Sequence, residues 1–312
     1  MSSNPHPPIR VTDNLYQLGI PKFPVYLSMG EIGMIIEGGT GPTSSIVADQ
    51  IDQLGIDPRN IRYIVLTHTH ADHIGAVPRL RKLWPHVEIL AGSVAAESFK
   101  SERMIAEFLP ADKIISKILL EWGEIDEMPP ALDEYDFHVD RVLKEGERIP
   151  LGKGINWRVY ETPGHSPCHI SLFEEKEQSL AIGDMTGYHD PQLNVIWPNY
   201  FHSIDAYCES IRKMIDVPAR RGLLSHNGVV EDVRPYFEKA MAATEAYHME
   251  LLKRLSKGEE PEKIWREKAD WVYSFAPITS HNAIVFLCKL LQKQSLRHIW
   301  SGLFALPQDK AA

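Results

Sequence analysis

The amino-acid sequence predicts a layered α/β protein. Across the first 92 residues, short strand-like runs alternate with runs whose apolar residues recur at helical spacing, the pattern of sheets covered by helices. One strand, "IRYIVLT", is an uninterrupted apolar run, as expected for a strand that is buried on both faces. Strand-like runs resume after residue 140, so the chain of 312 residues has enough regular structure to bury a sizeable core.

The predicted elements follow in chain order. Residues 9–39 contain short strands interrupted by Gly and Pro, which is typical of opening hairpins. A helix is predicted in "IVADQIDQLGI", which ends before Asp57 and Pro58. The strand "IRYIVLT", the helix "GAVPRLRKLW" and the strand "VEILA" complete the alternating part.

Residues 93–140 differ from the rest, because they contain helix-like runs and no convincing strand, and they predict a helical insertion. Strands resume with "INWRVYET", "HISLFEE", "SLAIGD" and "RRGLLSH", with a helix at about 203–215 between the last two. The chain from about 231 to 295 is predicted to be mostly helical.

Charge and composition restrict the class of partner. The chain has 33 Lys and Arg against 42 Asp and Glu, a formal net charge of −9, and it has no basic block that would follow a phosphate backbone. The N-terminal segment lacks the features of a signal peptide, and no window approaches ~18 uninterrupted apolar residues. Three cysteines without a CxxC pair are typical of a reducing compartment. We expect a cytoplasmic protein that binds neither nucleic acid nor a membrane.

The densest polar chemistry is the segment "HTHADH", which directly follows the predicted strand "IRYIVLT". His68 and His70 are two residues apart, so their side chains point the same way in an extended segment. Asp72 and His73 are adjacent, and a turn before the next helix would let both face a second position. Imidazole and carboxylate groups are ligands that zinc and iron accept, so the segment predicts a metal site. A helix entry capped by Asp72 is the simpler alternative.

Three more metal-capable side chains lie downstream, and each follows an apolar strand. They are His165 in "WRVYETPGHS", Asp184 in "SLAIGD" and His226 in "GLLSH". Ligands in layered α/β proteins bind outside the carboxyl ends of the strands, so these residues and the "HTHADH" segment are predicted to meet in one crevice.

The segment "HTHADH", followed in order by "TPGHS", "GDM" and "LLSHNG", resembles the metallo-β-lactamase-fold hydrolases. The resemblance implies a four-layer αββα sandwich, here with a helical insertion and a helical C-terminal extension. It also implies two divalent metal ions, with zinc favoured and iron and manganese as alternatives. By the resemblance, one ion is bound by His68, His70 and His165, the other by Asp72, His73 and His226, and Asp184 bridges the two.

The layout is most similar to glyoxalase II-like thioesterases and to the bacterial quinolone-signal response protein. From this resemblance we expect a domain of residues 1–245, with the insertion at about 93–140, and a helical extension of residues 246–312 that caps the active site. Apolar and aromatic residues of the insertion and the extension are expected to roof the crevice, as is usual in small-molecule sites. These candidate roof residues are Phe99, Met104, Phe108, Trp122, Trp271 and Phe275, and packing alone is the alternative role for each. Antibiotic hydrolysis is disfavoured, because a secreted β-lactamase would need an export signal.

Four residues outside the ligand set are candidate substrate contacts. Tyr188 lies four residues after Asp184, while lactonases of this family carry a tyrosine one position earlier, and its hydroxyl is expected to act in catalysis with Asp72 and Asp184 and to bind substrate. His202 lies in a loop that could line the pocket. His281 and Asn282 begin the last strong helix, whose N-terminus could bind a carboxylate, although simple capping is the alternative.

The sequence therefore predicts a metal-dependent hydrolase in which metal-activated hydroxide cleaves a small-molecule thioester, such as an acyl-CoA or another acyl-thiol. A lactonase or another ester hydrolase of the same fold is the nearest alternative. Two more alternatives remain open: a persulfide dioxygenase, which would need only one iron, and a regulatory binding protein with a residual metal site. The expected partner is a small molecule, and a homodimer is left open as the assembly.

Overall fold

The computed structural model describes residues 6–297 and 303–306, and most of its strands lie in two large sheets. In the first sheet, β1 to β4 are antiparallel, and β4 to β7 run parallel to one another. Its seven strands follow chain order: β1 (Ile9–Arg10), β2 (Leu15–Ile20), β3 (Phe23–Met29), β4 (Gly33–Ile36), β5 (Ile61–Leu66), β6 (Glu88–Gly92) and β7 (Arg141–Leu143).

The second half of the chain forms the second sheet. Its strands, together with a separate two-stranded pair, are β8 (Arg148–Gly152), β9 (Ile155–Glu161), β10 (Ile170–Glu174), β11 (Ser179–Gly183), β12 (Tyr188–Asp190), β13 (Val195–Trp197), β14 (Arg221–Leu224) and β15 (Val229–Glu231). The second sheet has the order β15-β14-β11-β10-β9-β8, and β12 pairs with β13. Within it, β11 and β14 are parallel, so their carboxyl ends lie at the same edge.

Helices cover the outer faces of both sheets. They are α1 (Thr43–Gln53), α2 (Ala71–Ile74), α3 (Val77–Leu83), α4 (Ser93–Ser98), α5 (Glu102–Glu121), α6 (Ile204–Ile215), α7 (Val233–Ser256), α8 (Pro261–Tyr273) and α9 (His281–Arg297). Among the helices that the structure describes, none is long and apolar enough to cross a membrane.

Alternating side chains on the central strands separate the cores. Val65 of β5 and Ala181 of β11 point into the core between the two sheets, while Ile64 packs with the helices over the first sheet. Leu180 and Ile182 pack with the helices over the second sheet. The layers therefore run helix, sheet, sheet, helix, which confirms the predicted αββα sandwich.

The insertion is held against the first sheet by a buried carboxylate. Asp112 of α5 accepts a hydrogen bond of 3.0 Å from the backbone N–H of Gly41. A Cβ at Gly41 would lie 2.7 Å from that carboxylate, and one at Gly75, after α2, would lie 2.4 Å from the Gly41 nitrogen. Only glycine permits this close approach, so α5 packs directly on the turn that follows the "HTHADH" segment.

The structure contains every strand and helix that the sequence analysis predicted, and residues 93–140 contain helices and no strand, as expected. The strands that the sequence analysis missed have five residues or fewer: β7, β8, β12, β13 and β15. Such short strands show too few alternations for a periodic signal. The helical C-terminal extension is present as well, although residues 298–302 and 307–312 of the expected segment lie outside the described residues.

Candidate metal centre

The "HTHADH" segment follows β5 at its carboxyl end. His70 keeps an extended backbone, with φ −71° and ψ 150°, and serves as the N-cap of the short helix α2. His68 and His70 therefore leave the strand on the same side, while the first turn of α2 brings Asp72 and His73 beside them. This strand-to-helix change places four ligand-type side chains within six residues of sequence.

Three imidazoles converge in the first ligand group. The Nδ1 atom of His70 lies 3.1 Å from His68 Nε2 and 2.9 Å from His165 Nε2, and the two Nε2 atoms are 3.2 Å apart. Nitrogen ligands of a tetrahedral zinc ion, at bond lengths near 2.0–2.1 Å, are separated by about 3.3 Å. The three nitrogens thus have the spacing that a single metal ion requires.

The second ligand group combines a carboxylate with two imidazoles. Asp72 Oδ2 lies 3.4 Å from His73 Nε2 and 3.6 Å from His226 Nε2. The ligand atoms of all three residues lie within 4.8 Å of one another. Carboxylate and imidazole suit zinc, iron and manganese alike, so this group also fits a divalent ion.

Asp184 lies between the two groups. Its Oδ2 is 3.4 Å from His165 Nε2 in the first group, and its Oδ1 is 3.5 Å from His226 Nε2 in the second. Asp184 Oδ1 and His73 Nε2 are both buried without a hydrogen-bond partner among the described residues. Buried polar atoms without partners are costly, and metal ligation would satisfy both. The chain's own residues therefore fit a metal centre.

The ring nitrogens that face away from the cluster are fixed by hydrogen bonds. His165 Nδ1 donates to the backbone oxygen of Asn199 at 3.0 Å, and His226 Nδ1 donates to that of Lys22 at 2.9 Å. Thr67 Oγ1 lies 3.0 Å from His68 Nδ1. Each bond selects the tautomer in which Nε2 is free to ligate, and it also orients the ring.

Glu37 completes this set of hydrogen bonds, and the sequence analysis missed it. Its buried carboxylate accepts hydrogen bonds from Thr67 Oγ1 at 2.9 Å, Ser225 Oγ at 2.6 Å and His73 Nδ1 at 3.1 Å. Glu37 has a positive φ of 77°, a strained conformation for a residue with a side chain. The only local signal is a glutamate followed by two glycines at the end of an apolar strand.

His169 orients the bridging carboxylate from behind. The backbone N–H of Asp184 donates to His169 Nε2 at 3.0 Å, and the opposite ring nitrogen lies 2.8 Å from Thr162 Oγ1. Gly183, with φ 65°, permits this contact, because a Cβ there would lie 2.4 Å from His169 Nε2. His169 thus positions Asp184 instead of ligating a metal.

Burial and neighbouring charges set the protonation of the cluster. Burial, together with the neighbouring histidines, lowers the pKa of His70 to about 3 and holds the pKa of His68 well below its usual range. Burial acts to raise the pKa of Asp72 and Asp184, but the adjacent His73 and His226 outweigh it and both pKa values are lowered. The first group is therefore neutral and the carboxylates are ionised at neutral pH, which are the forms that bind metal. Burial acts to lower the pKa of His73 and His226, but the neighbouring carboxylates outweigh it and raise both pKa values, so metal binding would displace a proton from the second group.

Tyr188 lies beside the second ligand group. It is buried in β12, and its ring centroid is 5.2 Å from that of His226. Burial raises the pKa of Tyr188, and the side chain of Asn227 opposes that shift. The hydroxyl has no well-formed hydrogen bond among the described residues, so it is a buried donor available to another group.

The other predicted substrate residues form no described contact with the ligand residues themselves, although the backbone N–H of His202 donates to the oxygen of Gly164, next to His165. In the described part of the chain, no hydrogen bond or ring contact joins His202, His281 or Asn282 to a ligand residue. His202 is exposed, and His281 Nε2 lies 2.7 Å from Asp270 Oδ1. The loop expected to present His202 instead places the ring of Phe201 5.4 Å from that of His165.

Apolar residues beside the ligand groups come from several separate parts of the chain. We call them the Phe23 cluster: the buried residues Ile20, Phe23, Ile115 and Leu119, with Ala71, Trp122 and Ile278 among the half-buried residues packed on them. The expected roof residues Phe99, Met104 and Phe108 instead pack in the core over the first sheet. Within the described insertion, the residues that join the Phe23 cluster are therefore in the second half of α5 and directly after it.

The chain belongs to the metallo-beta-lactamase superfamily, whose family model matches residues 30–226. This range includes both ligand groups and the bridging aspartate, so the family assignment and the geometry concern the same part of the chain.

Individual relatives are more distant. The chain is 29% identical over 214 residues to the metallo-beta-lactamase fold-containing protein ST1585 of Sulfurisphaera tokodaii, covering 66% of this chain and 73% of that protein. It is 23% identical over 196 residues to an atrochrysone carboxyl ACP thioesterase of Claviceps purpurea, covering 63% of this chain but only 47% of the thioesterase. The metallo-beta-lactamase family protein TTHA1429 of Thermus thermophilus has a similar structure, with a TM-score of 0.64 and 21% identity, covering 92% of this chain and 94% of that one.

Proposed function

We propose that this protein is a hydrolase that uses two divalent metal ions, preferentially zinc, to cleave a small-molecule thioester. One observation carries the proposal: two groups of three ligand-type side chains lie next to each other, and the carboxylate of Asp184 faces both. When bound, such ions would activate water for attack on a carbonyl and stabilise the negative charge that develops.

Each residue has a separate task in this proposal. His68, His70 and His165 would hold one ion, while Asp72, His73 and His226 would hold the other. Glu37 and His169 keep His73 and Asp184 in position through the hydrogen bonds described above. Tyr188 would donate a hydrogen bond from its buried hydroxyl to the substrate oxygen. The raised pKa of Tyr188 keeps this hydroxyl protonated at neutral pH.

Two observations support a thioester as the substrate. An ACP thioesterase is among the relatives, although the chain spans only about half of its length. The Phe23 cluster and the Phe201 ring provide apolar surface beside the ligands, which suits an acyl group and limits the access of bulk water. The helical extension contributes Ile278 to that surface, in line with the proposed capping role of residues 246–312.

A lactone or another carboxylic ester is the second candidate substrate, because Tyr188 would serve it as well as it would serve a thioester. A buried hydroxyl beside His226 could stabilise the oxyanion of any ester, whether the leaving group is a thiolate or an alkoxide. A persulfide dioxygenase is less well supported, since one iron would leave the second ligand group without a function.

The test combines metal analysis of the purified protein with a substrate panel of acyl-CoA, acyl-glutathione, lactone and phosphodiester compounds. We expect two divalent ions per chain and the highest kcat/KM for a thioester. Preferential cleavage of lactones would support the second candidate, whereas cleavage of the phosphodiester alone would contradict both. Oxygen consumption with glutathione persulfide would indicate the dioxygenase.

A further inference from the structure

The turn between β2 and β3 is fastened to the loop that carries His226. The backbone oxygen of Lys22 accepts the His226 Nδ1 hydrogen bond at 2.9 Å, and that of Pro21 accepts a hydrogen bond from Asn227 N at 2.9 Å. Phe23 lies next in sequence, with its ring centroid 5.5 Å from that of His226. The position of Lys22 is therefore fixed relative to the second ligand group.

The side chain of Lys22 extends to the insertion and ends without an anionic partner. Its Nζ lies 5.2 Å from the ring centroid of Trp122, the residue that follows α5. Both side chains are half-buried, and within the described residues no carboxylate forms an ion pair with Lys22. Of the other lysines with cation–π contacts, Lys213 pairs with Glu145 and Lys268 pairs with Glu250, whereas Lys289, which lies over Trp265, resembles Lys22 in forming no ion pair among the described residues. The Trp122 ring holds the Lys22 ammonium in place through a cation–π contact. The ammonium is therefore available to form an ion pair with an anionic group of a bound molecule.

Half-buried apolar side chains lie between this ammonium and the ligands. Trp122 and Ala71 both pack on the buried residues of the Phe23 cluster. Ala71 lies between His70 and Asp72 in the sequence, and Trp122 is the ring beneath Lys22, so the Phe23 cluster joins the ligand segment to the ring that holds the lysine. A molecule lying along it would have its reactive bond near the ligands and its far end near a positive charge.

We propose that Lys22 binds an anionic group of the substrate while the uncharged part of the substrate lies along the Phe23 cluster. This inference rests on the proposed thioester hydrolysis for the identity of the reactive bond. The chain carries a net charge of −9, which repels anions at long range, so an anionic substrate requires a local cation. The anionic group is a carboxylate on the acyl part or a phosphate on the thiol part.

A set of four substrates separates the two sources of negative charge. Butyryl and glutaryl thioesters are each prepared with N-acetylcysteamine, which is neutral, and with coenzyme A, which carries phosphates. The wild type is compared with Lys22→Met, Lys22→Glu and Lys22→Arg. The matched control is Lys117→Met, which removes the same charge from an exposed position of α5 that is not part of the Phe23 cluster. The measured quantity is the ratio of kcat/KM for a charged substrate to that for butyryl-N-acetylcysteamine.

We expect Lys22→Met to lower one of the charged-to-neutral ratios by about tenfold, the size of a charge-assisted hydrogen bond. Lys22→Glu should lower it further, Lys22→Arg should preserve most of it, and Lys117→Met should leave it unchanged. A change with the glutaryl group identifies a carboxylate, and a change with coenzyme A identifies a phosphate. Equal ratios in the wild type and Lys22→Met would overturn the proposal, since the lysine would then only pack on Trp122.

Binding of the corresponding thioether analogues, measured by calorimetry, keeps the inference separate from the hydrolysis. These analogues have a methylene in place of the thioester carbonyl and cannot be cleaved. If no thioester is hydrolysed but the charged analogues still bind more weakly to Lys22→Met than to Lys117→Met, the proposed function fails and the anion site stands. If all variants bind charged and neutral analogues with the same preference, the anion site fails.

Discussion

The ligand cluster, which comprises the two ligand groups and Asp184, lies beside the Phe23 cluster. The two clusters differ in the interactions that hold their residues in place. The ligands follow the carboxyl ends of strands, and a displacement of a ligand would break a hydrogen bond such as that from His165 Nδ1 to Asn199. The Phe23 cluster consists of residues from the ends of β2 and β3, the segment that contains Ala71, the insertion and the extension, and apolar packing holds it together. The first region is thus fixed by directional bonds and the second by contacts that tolerate a change of side chain.

From this difference we expect the ligand cluster to determine whether the reaction occurs and the Phe23 cluster to determine which substrate is preferred. A ligand that moves by a fraction of an ångström no longer fits a metal ion, so substitutions in the cluster should abolish function. Substitutions in the Phe23 cluster should change which substrate is preferred, because volume-conserving apolar replacements leave the backbone in place. The following changes test that division, beginning with the largest expected effect.

Replacing Asp184 by Ala should remove bound metal and turnover together. The carboxylate faces both ligand groups, so its loss leaves each group without one ligand and removes a negative charge that would balance the bound ions. Metal content by mass spectrometry and kcat with the best substrate are the measurements. Asp126→Ala, at an exposed position of the insertion, is the control and should retain both. Full metal content and an unchanged rate in Asp184→Ala would rule out the ligand assignment.

Replacing Asp112 by Asn should reduce the change of the unfolding free energy with pH. Burial raises the pKa of Asp112 to about 6, above the usual value of 3.8, so the folded protein retains this proton at higher pH than the unfolded chain does. The resulting stabilisation is complete below about pH 4 and is lost as the pH rises through 6, by up to about 3 kcal/mol. Urea denaturation of metal-free protein at pH 5 and pH 8 measures it.

In Asp112→Asn the unfolding free energy should fall less between those two pH values than in the wild type, because the asparagine carries no charge to bury. Asp126→Asn serves as the exposed control and should follow the wild type. If the free energy of unfolding falls by the same amount in all three proteins, the pKa of Asp112 is not raised in the folded protein.

Replacing Glu37 by Gln should weaken metal binding by roughly 10- to 100-fold, as substitutions behind a metal ligand commonly do. Glutamine cannot accept the bonds from Thr67, Ser225 and His73 with the same charge and geometry, so His73 would lose its orientation. Metal titration of the apoprotein is the measurement. Glu174→Gln is a matched control, since Glu174 is also buried and accepts backbone N–H bonds, but on the β10 strand. Equal affinity in both variants would mean that Glu37 only stabilises the fold.

The sequence was sufficient to predict which metal-capable side chains lie together, because strand patterns are local and these side chains follow strand ends. His165, Asp184 and His226 could be found in this way without knowing which strands pair. Glu37 could not, because its role depends on three contacts made by residues 30 to 188 positions away. His202 differs from Glu37, because it was predicted from its loop. The ring contact with His165 in that loop is made by the neighbouring residue, Phe201. A loop has no fixed period from which the facing residue can be read.

The distribution of the ligands over the two sheets has a mechanical consequence. His68 and His70 extend from β5 in the first sheet, while Asp184 and His226 extend from β11 and β14 in the second. Ions bound between them would link the two sheets. Their binding free energy would add to the free energy of unfolding of the whole domain. Metal supply would then govern the lifetime of the protein against proteases as well as its turnover.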